Sequence, residues 1–218
     1  MDLAALLNEL PTDRRLALAY APASARPATA ALFVLDARLA RIVGHHSEPI
    51  LQQIRLGWWR DLFAAPMPHG SMGDPLLALL AKWGDARLEL LALVNGWEAL
   101  LAEPPLTAAA VLEFARGRAL GFRALAAQLG CDDAMAEAER AGFGWALADL
   151  AAKTSDASEA AMICELARHS DWRAVQLPKP LRPLSVLYGL AARKKGTAPL
   201  LMTKSDGFAA VRLGLFGR

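Results

Sequence analysis

The stretch Ala31–Phe63, ALFVLDARLARIVGHHSEPILQQIRLGWWRDLF, decides the fold class. Leu32, Leu35, Leu39 and Ile42/Val43 recur at three- and four-residue steps before a break, and Ile50, Ile54, Trp58 and Leu62 recur in the same way after it. That spacing predicts two amphipathic helices joined at Gly44–Ser47 and packed as an antiparallel pair. Gly44 can end a helix in the left-handed conformation, Ser47 can cap the next, and Pro49 fits a first turn, where a missing N–H costs nothing. Trp58 is expected in the core, with Trp59 left for a partner or ligand. His45, His46 and Glu48 fall on the joint. Adjacent histidines on a turn point apart and no further ligand follows at helical spacing, so no metal is expected there.

The pattern extends outward from this pair. Asp2–Leu10 reads as a short helix closed by Pro11, Arg14–Ala21 as a second ended by Pro22, and Pro22–Pro27 as a turn. Downstream, Ala65–Gly73 is a loop, Leu76–Trp83 a short helix, and Gly84-Asp85 restarts another that runs on to Leu101. Thr107 caps the longest periodic stretch, Ala108–Leu129, which should be a central helix. On it Arg116, Arg118 and Arg123 are read as surface charges. Asp132-Asp133 starts a helix over Ala134–Ala152, whose Asp149 and Lys153 are spaced for a surface ion pair. Ser158 is expected to cap a helix through Ala167. Prolines 178, 180 and 183 break the chain before Leu184–Arg193, and Ser205–Phe216 makes a last amphipathic turn or two. The expected architecture is all-α: a single-domain helical bundle over residues 1–193 and a basic C-terminal extension, 194–218, with a short helix.

Composition agrees with a packed core. Of 218 residues, 55% are hydrophobic and 21% charged, and leucine and alanine outweigh the aromatic and β-branched residues that sheets favour. Cys131 and Cys164 have no CxxC spacing and read as free thiols. No apolar run approaches the roughly 20 residues of a membrane-spanning helix, and Met1–Leu10 carries Asp2 and Glu9 where a secretion signal would be basic. A cytoplasmic protein is expected. A net charge of +2, with no basic helix interleaved with aromatics, points away from nucleic acid. The charge is uneven, however: residues 179–218 hold eight Lys/Arg against one Asp, net +7. Such an end suits either the anionic headgroups of an inner membrane face, as a peripheral contact, or a solvated basic tail.

The order of "ALFxLDxxLARIV", a short turn and "EPxLxQIRLxWWRDxL" resembles the opening helices of squalene/phytoene synthases, the all-α head-to-head prenyl transferases. Asn95-Gly96-Trp97-Glu98-Ala99-Leu100, Phe114-Ala115-Arg116-Gly117-Arg118-Ala119-Leu120-Gly121, Ala141-Gly142-Phe143-Gly144-Trp145-Ala146-Leu147 and Val175-Gln176-Leu177-Pro178 continue it in the same order, from about Asp13 to about Arg193. The resemblance implies an isoprenoid synthase type of bundle, shortened at its C-terminus. It also implies a ligand cavity among Arg26, Asp36, Ala40, Arg41, Gly117, Gly121, Trp145 and Asp149.

The departures decide what function the resemblance implies. Where those enzymes carry DDxxD, this chain has Ala40, Arg41 and Gly44, and near their second acidic motif, Lys153–Ser158, only Asp156 is acidic. Ionising a prenyl diphosphate needs the departing charge held by Mg²⁺, which takes carboxylate and water oxygens. The expectation is therefore no catalytic residues, no metal and no cofactor. The chain would be a non-catalytic member that works by binding a protein partner or an isoprenoid or other lipid, similar to the complex I assembly factor of this superfamily. The alternative is an active Mg²⁺-dependent prenyl transferase, which would need Asp36, Asp149, Asp156 and Glu98 to converge on one cavity.

Overall fold

A computed structural model describes residues 3–44, 48–65 and 73–217. Among them the chain forms α-helices and short 3-10 segments, and no strand. The helices are α1 (Leu3–Leu7), α2 (Thr12–Ala19), α3 (Arg26–Gly44), α4 (Pro49–Ala64), α5 (Pro75–Leu80), α6 (Leu90–Ala99), α7 (Ala108–Gln128), α8 (Met135–Ala151), α9 (Ala157–Arg168), α10 (Arg182–Lys194) and α11 (Lys204–Phe216). The joint residues His45, His46 and Ser47 lie outside the described residues, as does most of the loop expected at Ala65–Gly73.

The centre of the bundle is α7, packed along α6 on one side and α8 on the other, with α3 across them. Its start is the one the sequence announces, because Thr107 Oγ1 accepts from Ala110 N at 3.2 Å. The α6–α7 crossing is close. A Cβ on Gly117 would stand 2.3 Å from Ala92 O and 3.0 Å from Gly96 Cα. Glycine costs about 1 kcal/mol relative to alanine in a helix interior, and here the cost permits backbone to meet backbone. Gly117 is thus a packing position between helices. On the far side, α10 packs on α8 and α2, and α11 rests on α10 and α2.

Several local expectations are corrected. Gly44 is the last residue of α3 and is not left-handed. The helix expected at Leu76–Trp83 ends at Leu80 and continues as a 3-10 segment to Glu89, kinked where Gly84 takes φ 51°. Asp156 caps α9 in place of Ser158, with Oδ1 accepting from Ser158 N and Glu159 N, both at 2.9 Å. The two neighbouring tryptophans are exchanged: Trp59 is 5% exposed and Trp58 47%. Helix α4 carries two apolar stripes, Ile50/Ile54/Trp58 and Leu56/Trp59/Phe63, and the second is the one that packs.

Candidate functional site

Four charged side chains from four helices meet inside the bundle. Arg14 comes from α2, Asp36 from α3, Arg118 from α7 and Asp149 from α8, and all four are buried. Each lies in register with the apolar residues of its own helix, so burying those stripes carries the charges inward together. Arg118 Nε donates to Asp36 Oδ1 at 2.9 Å and Nη2 to Oδ2 at 2.8 Å, while Nη1 donates to Asp149 Oδ2 at 2.8 Å. Arg14 Nη1 stands 2.7 Å from Asp36 Oδ2, and its Nη2 is 3.5 Å from Asp149 Oδ2. Trp97 Nε1 adds a bond to Asp36 Oδ1 at 2.8 Å, and Lys153 Nζ reaches Asp149 Oδ1 at 2.6 Å. The Arg118 guanidinium also lies against the Trp145 ring, 4.4 Å from its centroid.

The electrostatics follow from this geometry. Burial, the largest single influence, pushes the carboxyl of Asp36 upward, but Arg118, Arg14 and the Trp97 bond outweigh it and hold it below the ordinary range. Burial likewise opposes the charge on Asp149, and Arg118, Lys153 and Arg14 hold that carboxyl far below the usual value. Both aspartates are carboxylates, each engaged by guanidinium and one also by ammonium. Arg118, expected among the surface charges, is 2% exposed. The Asp149–Lys153 pair forms, but with its carboxylate inside the protein.

Little space remains in this interior. The void bounded by Leu32, Phe33, Asp36, Leu93, Arg118, Phe122 and Trp145 holds ≈ 10 Å³, against the roughly 300 Å³ at which small-molecule pockets begin. Gly121 adjoins it, its missing Cβ facing Leu32 and Leu93.

Outside the network lies a groove of ≈ 390 Å³ lined by Glu9, Pro11, Arg14, Ala37, Ala40, Arg41, Gly44 and Lys153. It brings together Ala40, Arg41, Gly44 and Lys153, residues far apart in sequence where the resemblance would place acidic motifs. Three cations and one carboxylate line it, and Arg41 is bound to that carboxylate, Glu9. Glu9 is also gripped by Arg38, with Nε to Oε2 at 3.0 Å and Nη2 to Oε1 at 2.8 Å.

Of the residues expected to line a ligand cavity, Asp36, Trp145 and Asp149 therefore meet in the ion network, Gly121 borders its void, and Ala40 and Arg41 line the outer groove. Gly117 serves the α6–α7 crossing. Arg26 is elsewhere, its Nη2 donating to Ala21 O at 3.2 Å and bracing the turn into α3. Asp156 caps α9, and Glu98 pairs with Arg60 at 2.6 Å, so neither joins the two central aspartates. Sequence reasoning missed Arg14, Arg118 and Trp97. Among the described residues, no three His, Cys, Asp or Glu side chains cluster closely enough to hold a metal ion. Cys131 and Cys164 are free and half-buried.

Comparison with protein-family models, with curated proteins and with solved structures finds no match to this chain.

Proposed function

We propose that the chain is a non-catalytic relative of the squalene/phytoene synthases that acts by binding. The observation that supports this reading is the outer groove, where Ala40, Arg41, Gly44 and Lys153 meet at the positions the resemblance gives to acidic motifs, while Arg118, further inside, occupies both Asp36 and Asp149. A Mg²⁺ cluster does not fit the residues present. Both interior carboxylates are already matched by Arg14, Arg118 and Lys153, and the outer groove presents Arg41 and Lys153. Adding several divalent charges to such a set would meet cation with cation.

With the interior filled, a ligand must be met at the surface. That favours a protein partner, by analogy an assembly intermediate of respiratory complex I, or a lipid surface, over an enclosed isoprenoid. The other reading, an active prenyl transferase, draws on the closeness of Asp36 and Asp149, and requires Arg118 to leave both. One assay separates them. The purified protein, incubated with farnesyl or geranylgeranyl diphosphate and Mg²⁺, is expected to release no pyrophosphate above the protein-free control. Release accompanied by a head-to-head product would establish the enzyme and remove the binding-only reading.

A further inference from the structure

We infer that the outer face of α11 is a docking surface for an anionic lipid bilayer. The helix divides cleanly. Ala209, Ala210, Leu213 and Gly214 are buried against the bundle, and Gly214 lets the Tyr20 ring lie where a side chain would stand, 2.3 Å from its absent Cβ. The opposite face is open and apolar: Phe208 is 77% exposed, Leu215 61% and Val211 44%, while Phe216 lies to one side and borders a cleft shared with Asp132, Asp133, Glu137 and Arg182. Among the described residues nothing covers these large side chains, and a contiguous exposed apolar face of this kind marks an interaction surface.

Charge identifies the occupant. Lys204, Phe208 and Arg212 follow one another at four-residue steps, so exposed cations bracket the largest exposed ring along a single row. The one acidic residue between 179 and 218 is Asp206, and it is withdrawn: its Oδ2 accepts from Thr203 N at 2.9 Å and from Met202 N at 3.1 Å, and pairs with Lys194 at 3.1 Å. No carboxylate of this segment faces outward to oppose an anionic surface. The inner face of α11 is fixed on α10 and α2, so only its outer face is offered to an occupant. A fluid bilayer needs no matching concavity. It accepts aromatic and aliphatic side chains below the headgroups while lysine and arginine stay at the level of the phosphates. Among the described residues no helix is long and apolar enough to cross a membrane, so the contact is one of lying on the surface.

The test is flotation of the full chain with phosphatidylcholine vesicles, made with and without phosphatidylglycerol. The protein is expected to float with the phosphatidylglycerol vesicles, to do so less as salt rises, and to stay at the bottom with phosphatidylcholine alone. Lys204→Glu/Arg212→Glu and, separately, Phe208→Ser/Leu215→Ser should each lower partitioning by at least ~10-fold. All four side chains are exposed, and an unchanged thermal melt by circular dichroism certifies that the variants are folded. Failure of the wild-type protein to float with anionic vesicles overturns the inference, whether or not the same face retains an acidic protein. So does flotation of both variants at the wild-type level. Neither outcome bears on turnover, so this inference and the proposed absence of catalysis stand or fall separately.

Discussion

Arg118 holds Asp36 through two parallel hydrogen bonds, 2.9 and 2.8 Å long, that join the middle of α7 to the middle of α3. The paired fork places a fixed positive plane inside the bundle, and Trp97, Arg14, Asp149 and Lys153 are arranged around it. Removing the guanidinium leaves two buried carboxylates short of cations. Arg118→Leu is expected to cost about 3–5 kcal/mol, and Arg118→Lys also costs stability, because an ammonium cannot bond both oxygens of Asp36 and reach Asp149. Urea unfolding followed by circular dichroism measures both.

The same network makes the fold sensitive to acid. Asp36 and Asp149 titrate below their ordinary 3.8 when folded. The unfolded chain therefore binds protons first, and stability is fully present above that value. It should fall as pH drops below 3.8 toward the depressed folded values, and these two groups should contribute no slope between about pH 5 and 8. Unfolding free energies measured from about pH 7 down to about pH 2 check the sign, and Asp36→Asn should flatten the acid limb while lowering stability throughout.

Glycines in the bundle divide into two kinds. At Gly117 an added methyl would press on the backbone oxygen of Ala92 from 2.3 Å, so Gly117→Ala should destabilise by about 3 kcal/mol. Gly57, within α4, has only the end of the Arg60 side chain at 3.8 Å. There alanine should stabilise by about 0.4–1 kcal/mol through the unfolded state. Thermal melts of the two variants should move in opposite directions.

The tryptophan exchange on α4 is testable in the same way. Trp59→Ala should cost about 3–5 kcal/mol, whereas Trp58→Ala should cost about 1 kcal/mol or less. Acrylamide should quench the fluorescence of the wild-type protein more readily than that of the Trp58→Ala variant, because Trp58 is 47% exposed.

What was legible in the sequence was the set of helices, because their signals are local. Thr107 and the periodic apolar residues after it define α7 to within one residue, and Asp74 caps α5, which opens at Pro75, one residue before the expected helix at Leu76. What escaped depends on phase between elements. On α4 two apolar stripes each satisfy helical spacing, and only the packing of α6 and α3 selects Leu56, Trp59 and Phe63. The interior charges were missed for a related reason. Three arginines at 116, 118 and 123 look alike by composition, yet Phe114, Arg118, Gly121 and Leu125 form one stripe at four-, three- and four-residue steps, which sets Arg118 inward and Arg116 outward. Arg14 beside Ala17 and Leu18, Asp36 beside Leu32 and Leu39, and Asp149 beside Trp145 carry the same signal. Opposite charges in register with apolar stripes on several helices are the sequence mark of a buried ion network.

Arg118 occupies Asp36 and Asp149, the two interior carboxylates that the alternative proposed above, an active prenyl transferase, would need for its metal ions. A crystal of the protein soaked with Mn²⁺ and a farnesyl thiodiphosphate, examined by anomalous scattering, reads this directly. No manganese is expected between α3 and α8, with Arg118 still spanning Asp36 and Asp149. Two or more manganese ions on those carboxylates, with the guanidinium displaced, would contradict it.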